Sequence, residues 1–283
     1  MSPLIPGDIL GGTWRVVRPA LGDEPGVECQ VEPTQGGEAG RLTLWRTLRA
    51  PSRAEIEHFT HVLSEAQRTG HAAFAPVVDA GYDEAREGLW LVRPWWSGES
   101  LPSMLRGLHD IGLDLPDLRA LARQLAGALT AARSAGLVHG RLRPARVLVA
   151  SGPAGARLSV LDVGLEHFRR THAAGWLKPP EGGADYLAPE WKENGPLPAS
   201  TDVFAFGRIL RDMLASRRDG AWKGRWESWV ERATAPAPHE RFGDAAEALD
   251  ALLPILNTLP TPVSPPPDNY QPEPPDPLVL PPR

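Results

Sequence analysis

The sequence predicts an α+β domain in two lobes, the first rich in strands and the second helical. Two observations carry this. Segments of strand character crowd the beginning of the 283-residue chain, and long amphipathic or apolar helical stretches follow them. The length suits one large domain or two small ones.

The elements read in order as follows. "TWRVVRPAL" (Thr13 to Leu21) and "RLTLWRTL" (Arg41 to Leu48) read as strands rich in β-branched and aromatic residues. "SRAEIEHFTHVLSEAQRTG" is charged and periodic, opens on Ser52 and closes on Gly70, which are helix start and stop signals. "FAPVVDAGYD" and "GLWLVRPWW" read as a strand pair. From Leu118, "LRALARQLAGALTAARSAG" spaces its apolar residues as a long helix does and ends at Gly136. Short strands "RVLVA" and "LSVLD" come next. "DVFAFGRILRDMLAS" is nearly all apolar, which predicts a buried helix. "RWESWVERAT" and "DAAEALDALLPIL" complete the helical half.

Composition narrows the setting. A net charge of −5 is too small and too mixed for a nucleic-acid surface, and no run of about 18 apolar residues offers a membrane span. One cysteine, Cys29, excludes an internal disulfide and suits a reducing cytoplasm. The opening "MSPLIPGDIL" lacks the pattern of a signal peptide. Only Lys178, Lys192 and Lys223 are lysines among 30 basic residues, so individual arginines carry less information than usual. From Asn257 to Arg283 the chain holds 11 prolines with little periodicity, the composition of a disordered tail.

A series of motifs then sets an identity. "GGTWRVVRPALG", "HAAFAPVVDAGYD" and "LWLVRPWWSGESL" precede "LVHGRLRPARVLVA". "LDVGL", "YLAPEW", "TDVFAFG" and "APAPHERF" follow it. Between Gly11 and Leu256 these segments resemble bacterial serine/threonine protein kinases in order and spacing. The resemblance implies a protein-kinase-like fold, with the N-lobe at about residues 11–96 and the C-lobe at about 97–256. Residues 1–10 fall before it as an extension, and residues 257–283 after it as the Pro-rich tail. It also implies structural roles. Glu190 of Ala-Pro-Glu should pair with Arg241, Asp202 should hold the catalytic-loop backbone, and His139 should pack into the apolar spine.

The chemistry that the family performs is depleted. Phosphoryl transfer requires positioned metal, a phosphate cradle and an acceptor for the substrate hydroxyl's proton. Gly22 opens the Gly-rich loop, but Glu24 and Val27 take its other two glycine positions, and Gly26 is out of register. The strand lysine aligns with Arg46, or the position falls on Trp45 if the register slips by one. The C-helix glutamate aligns with Val62, and Glu65 lies about a turn further on. Arg93 takes the gatekeeper position. With Gly22, Arg46, Trp96 and Leu148, it is expected to wall the nucleotide cleft.

Arg141 replaces the catalytic Asp and Arg146 the metal-binding Asn, while Arg143 stands at the catalytic-loop lysine. A guanidinium accepts no proton and ligates no cation, so neither replacement performs the original task. Of the metal ligands only Asp162 remains. Gly183 replaces the Thr that bonds the catalytic Asp, and the short connection after Ser216 leaves little room for a G-helix.

The resulting expectation is a pseudokinase, a regulatory or scaffolding module that binds a protein through its C-lobe surface or tail. Cofactors are not expected, and ATP with Mg²⁺ would bind weakly. The residues leave two other readings open: a nucleotide-binding switch without turnover, and a weak ATP-dependent serine/threonine phosphotransferase using Asp162, Arg46 and Arg143. Four arginines, Arg46, Arg93, Arg141 and Arg146, are expected around Asp162. At least one should pair with Asp162 or Glu65, and the surplus should turn to solvent or recruit Glu24 or Glu65.

Overall fold

The computed structural model describes residues 4–19, 27–96, 98–108, 112–152, 155–171, 183–193, 195–216, 224 and 226–258. Gly22, Glu24, Gly26, most of the shortened G-helix connection and the tail from residue 259 lie outside the described residues.

The N-lobe contains strands β1 (Ile9–Leu10), β2 (Trp14–Pro19), β3 (Val27–Pro33) and β4 (Gly40–Arg46), then helix α1 (Arg53–Arg68), then β5 (Asp79–Asp83) and β6 (Gly88–Pro94). The strands form one antiparallel sheet in the order β1-β2-β3-β4-β6-β5. Its two faces have different fates because side chains alternate along each strand. Leu42, Leu44, Cys29, Val31, Trp90 and Val92 pack with Trp14 on one face. Trp45, Leu89 and Leu91 face the other way and join the core that continues into the C-lobe. Leu4 and Leu10 are buried in the first cluster, so residues before Gly11 pack against the sheet. The strand before α1 ends at Arg46, and in "FAPVVDAGYD" only Asp79–Asp83 is a strand.

Helix α1 begins with a capping box. Glu55 N–H donates to Ser52 Oγ at 3.3 Å, and Ser52 N–H donates to Glu55 Oε2 at 2.7 Å. The helix therefore starts where the Ser signal places it.

The second lobe opens with β7 (Glu99–Ser100) and α2 (Leu101–Gly107), followed by α3 (Leu115–Ser134), β8 (Val147–Ala150) and β9 (Arg157–Val160). α3 begins earlier than Leu118 because Asp114 caps it, accepting from Asp117 N–H at 2.7 Å, with a proline in the first turn. α4 (Leu165–Thr171), α5 (Ser200–Ala215), α6 (Glu227–Ala233) and α7 (Ala245–Asn257) complete the lobe. α5 is the core helix that its composition predicts. α7 extends through Asn257, so its last turn reaches into the expected tail. Among the described residues no helix is long and apolar enough to cross a membrane.

Two polar anchors hold the C-lobe. Arg241 donates to both carboxylate oxygens of Glu190, at 2.7 and 2.8 Å, and to the carbonyls of Ala235, Pro236 and Ser200. Thr201 adds a hydroxyl to Glu190 at 2.8 Å. Asp202 accepts from the backbone N–H groups of His139 and Gly140, both at 2.8 Å. Burial raises the pKa of Asp202, and these backbone donors oppose the rise.

Candidate functional site

The cleft between the lobes holds Asp162, which follows β9 and sits in the left-handed region at φ 61°. Asp tolerates that conformation better than most residues, and strain of this kind persists where surrounding contacts over-determine it. Those contacts are two arginines. Arg93, at the end of β6, donates to Asp162 Oδ1, and Arg146 Nε lies 2.9 Å from Asp162 Oδ2. All three residues are buried. Burial by itself would raise the Asp162 pKa, but the charges of Arg146 and Arg93 outweigh it and hold the carboxyl at about 2. Burial also lowers the pKa of Arg93, with Asp162 resisting the shift.

A second carboxylate, Glu28 of β3, completes the arrangement. It is buried, accepts from Arg41 Nε at 2.9 Å, and lies 3.5 Å from Arg146 Nη1. Arg146 therefore recruits Glu28, which is not among the expected outlets of solvent, Glu24 and Glu65; Glu24 lies outside the described residues. The strand alternation of "VECQVEP" could have signalled a polar cleft-facing row at Glu28, Gln30 and Glu32. Assigning Val27 to the Gly-rich loop hid the strand that carries it.

Arg46 is not part of this group. It is 64% exposed and lies 4.0 Å from Glu87, at the far end of β4. Alternation puts Arg41, Thr43 and Trp45 on the cleft-facing side and Arg46 on the other, which overturns its expected place in the cleft wall. Thr43 is the β4 residue in register with Glu28. Glu65 does not take the C-helix role either. It pairs with Arg68 at 2.6 Å on the exposed side of α1. Val62 instead packs over Gly164, where an added Cβ would lie 3.2 Å from Val62 Cγ1. Trp96 folds back over Gly98, with its indole nitrogen against that glycine, and Leu148 is buried in β8.

A second group of charges gathers around α4. Helix α4 was not legible in the sequence, being one short unmarked segment. Its Phe168 is fully buried against Phe59 and His58 of α1, with ring centroids 5.2 and 5.9 Å apart. Glu166 accepts from Arg169 at 2.6 and 2.9 Å and from Arg170 at 2.8 Å. The guanidiniums of Arg141, Arg169 and Arg170 surround the Trp191 ring at 4.8, 5.5 and 5.2 Å from its centroid. Arg141, which aligns with the family's catalytic Asp, thus lies on an aromatic face. Burial lowers its pKa to about 10, with Glu166 opposing, and burial also takes Arg143 to about 10. At neutral pH both remain cations.

Two glycines make this rearrangement possible. An added Cβ at Gly183 would meet Arg143 Cδ at 2.6 Å, and one at Gly140 would meet Glu166 Cγ and Leu197 Cδ1 at 2.8 Å. Both have positive φ, 72° and 71°. Gly140→Ala should therefore cost about 1–3 kcal/mol, combining a left-handed alanine with displacement of Glu166. Urea denaturation measures this, and a change within a few tenths of a kcal/mol would show that Glu166 moves freely.

The donor set does not suit Mg²⁺. Both oxygens of Asp162 face guanidiniums, and the second ligand position carries one of them. Among the described residues, no group of three or more His, Cys, Asp or Glu side chains is placed to hold a metal ion.

The β-sheet lobe, the helical lobe and the Glu190–Arg241 and Asp202 anchors define a protein-kinase domain. Residues 46–233 match the family model described as protein tyrosine and serine/threonine kinase, and the chain belongs to this family. Among curated relatives, it is 26% identical over 244 residues to the serine/threonine-protein kinase PknA of Mycobacterium tuberculosis, covering 84% of this chain and 54% of PknA. It is 31% identical over 169 residues to PkaB of Streptomyces coelicolor, covering 48% of this chain and 40% of PkaB. The chain thus spans about half or less of the length of these relatives. The crystal structure of the M. tuberculosis PknI kinase domain superposes with a TM-score of 0.68 at 22% identity, over 89% of this chain and 99% of that one. That likeness concerns the fold.

Proposed function

We propose that this domain is a pseudokinase, a kinase fold that works by binding another protein and transfers no phosphate. The observation that supports this best is the pairing of Asp162 with Arg93 and Arg146. The carboxylate that the fold reserves for a metal has internal counter-ions. Arg141, resting on Trp191, can neither take nor orient a substrate proton. The replacements agree with one another: Arg141, Arg143 and Arg146 come with Gly140, Gly183, Glu28 and Glu166, which accommodate them. Single losses in an active site would not require such compensation.

With radiolabelled ATP and either Mg²⁺ or Mn²⁺, the protein should incorporate no label into itself or into generic protein substrates. Asp162→Ala serves as the control. Labelling that disappears in the control would establish a phosphotransferase. A thermal-shift titration with ATP, with and without metal, tests the binding step separately, because a ligand of the native state must raise the melting temperature.

A further inference from the structure

Five of the cleft charges form an alternating chain: Arg41, Glu28, Arg146, Asp162, Arg93. Traced through the fold, it begins in the N-lobe on β4 and β3. It passes to the C-lobe at Arg146 and Asp162, and returns to the N-lobe on β6. Arg146 thus carries one carboxylate from each lobe, and Asp162 carries one arginine from each lobe. We infer that this chain is an inter-lobe latch, which holds the two lobes in one fixed closed arrangement without any nucleotide between them. The inference rests on the non-catalytic reading of the site and adds a consequence for its regulation.

Charge distribution favours this role. Three cations and two anions leave one positive charge in excess. In an alternating chain the excess falls on an end member, and Arg41 is the more exposed end, at 23% against 5% for Arg93. Water therefore solvates the surplus while the inner members stay paired. Glu28 supplies Arg146 with its N-lobe carboxylate, so removing it takes away that contact across the lobes. Glu28 is in this sense a positioning residue: it secures the lobe crossing at Arg146. The apolar core runs alongside, with Trp45, Leu89 and Leu91 of the sheet packed in one cluster with the C-lobe helices. Phe74 also bridges to Val160 of β9. Behind the latch, a space of about 10 Å³ lined by Arg93, Asp162, Gln67 and Phe74 has room for one water. A fixed closed arrangement would present a composite surface from both lobes to a protein partner at all times, whatever the nucleotide concentration.

Distance measurement between spin labels tests this on the full chain. The one native cysteine, Cys29, is buried and its thiol is pushed up to about 12, so labels are directed to Glu32→Cys on β3 and Glu231→Cys on α6. The expected result is one narrow distance distribution that excess Mg·ATP leaves unchanged, and that Glu28→Gln broadens or shifts to longer distance. A broad distribution in the otherwise native chain, narrowing by Mg·ATP, or no response to Glu28→Gln would overturn the latch. The first two decide the matter even if Glu28→Gln folds poorly. Narrowing by Mg·ATP without phosphate transfer would remove the latch and leave the pseudokinase reading. Phosphate transfer with an unchanged distance would do the reverse.

Discussion

Asp162→Asn should destabilise the domain by about 3–5 kcal/mol, the usual cost of stranding buried charges by removing their partner. Asn keeps the volume of Asp, but it offers one acceptor in place of a charged pair and turns an N–H₂ group toward the second guanidinium. Arg93 would then lose its Asp162 carboxylate, and Arg146 would keep Glu28 at 3.5 Å. Urea denaturation measures the loss. An Asp that only awaited a metal would behave in the opposite way, since its removal would relieve an isolated buried anion. A stability change near zero, or a gain, would therefore count against the ion-pair role of Asp162.

The same residue sets an acid dependence. The native carboxyl has a pKa of about 2 against an ordinary 3.8, so the unfolded state binds the proton more tightly. Its contribution, about 2 kcal/mol, is complete above the ordinary value and is lost as pH falls toward the native one. Denaturation profiles across that interval should be steeper for the native protein than for Asp162→Asn. Parallel profiles would show that the two arginines do not hold the carboxyl down.

The second large effect is expected at Arg241→Met. This change strands Glu190 and takes the Arg241 donor from the carbonyls of Ala235, Pro236 and Ser200, while Thr201 and the Glu190 backbone N–H continue to serve the carboxylate. A cost of about 3–5 kcal/mol follows from the lost pair, out of a typical domain stability of about 5–15 kcal/mol. Cooperative unfolding should shift to lower urea or the protein should fail to fold. A loss under about 1 kcal/mol would mean that water replaces the guanidinium, which the burial of Arg241 opposes.

Much of this protein is local in origin and was legible for that reason. Ser52 with Glu55 starts α1, Gly136 with φ 73° closes the turn after α3, and the apolar run from Ser200 makes α5 a core helix. The Ala-Pro-Glu motif and Arg241 locate the C-lobe anchor because both lie in distinctive contexts. That Arg141 and Arg146 can neither accept a proton nor ligate a cation is readable from residue type alone, since no folding changes what a guanidinium can donate or accept.

Other features depend on which side chains the fold brings together. Whether Arg46 or Trp45 looks into the cleft is decided by a one-residue difference in strand facing, and the structure favours the Trp45 alternative over Arg46. α4 is too short to announce itself, and it exists because Phe168 finds Phe59 and His58 across the lobe boundary. Trp191 and Glu166 become the partners of three arginines only after the chain has turned back on itself. The sequence led to an expectation of more cations than carboxylates in the cleft, but it included Arg46, which lies outside, and omitted Glu28, which lies within. Only the tertiary structure decided how they are arranged. Charges pair by distance in space, and Glu28, separated from Arg146 by most of the N-lobe sequence, lies 3.5 Å away from it.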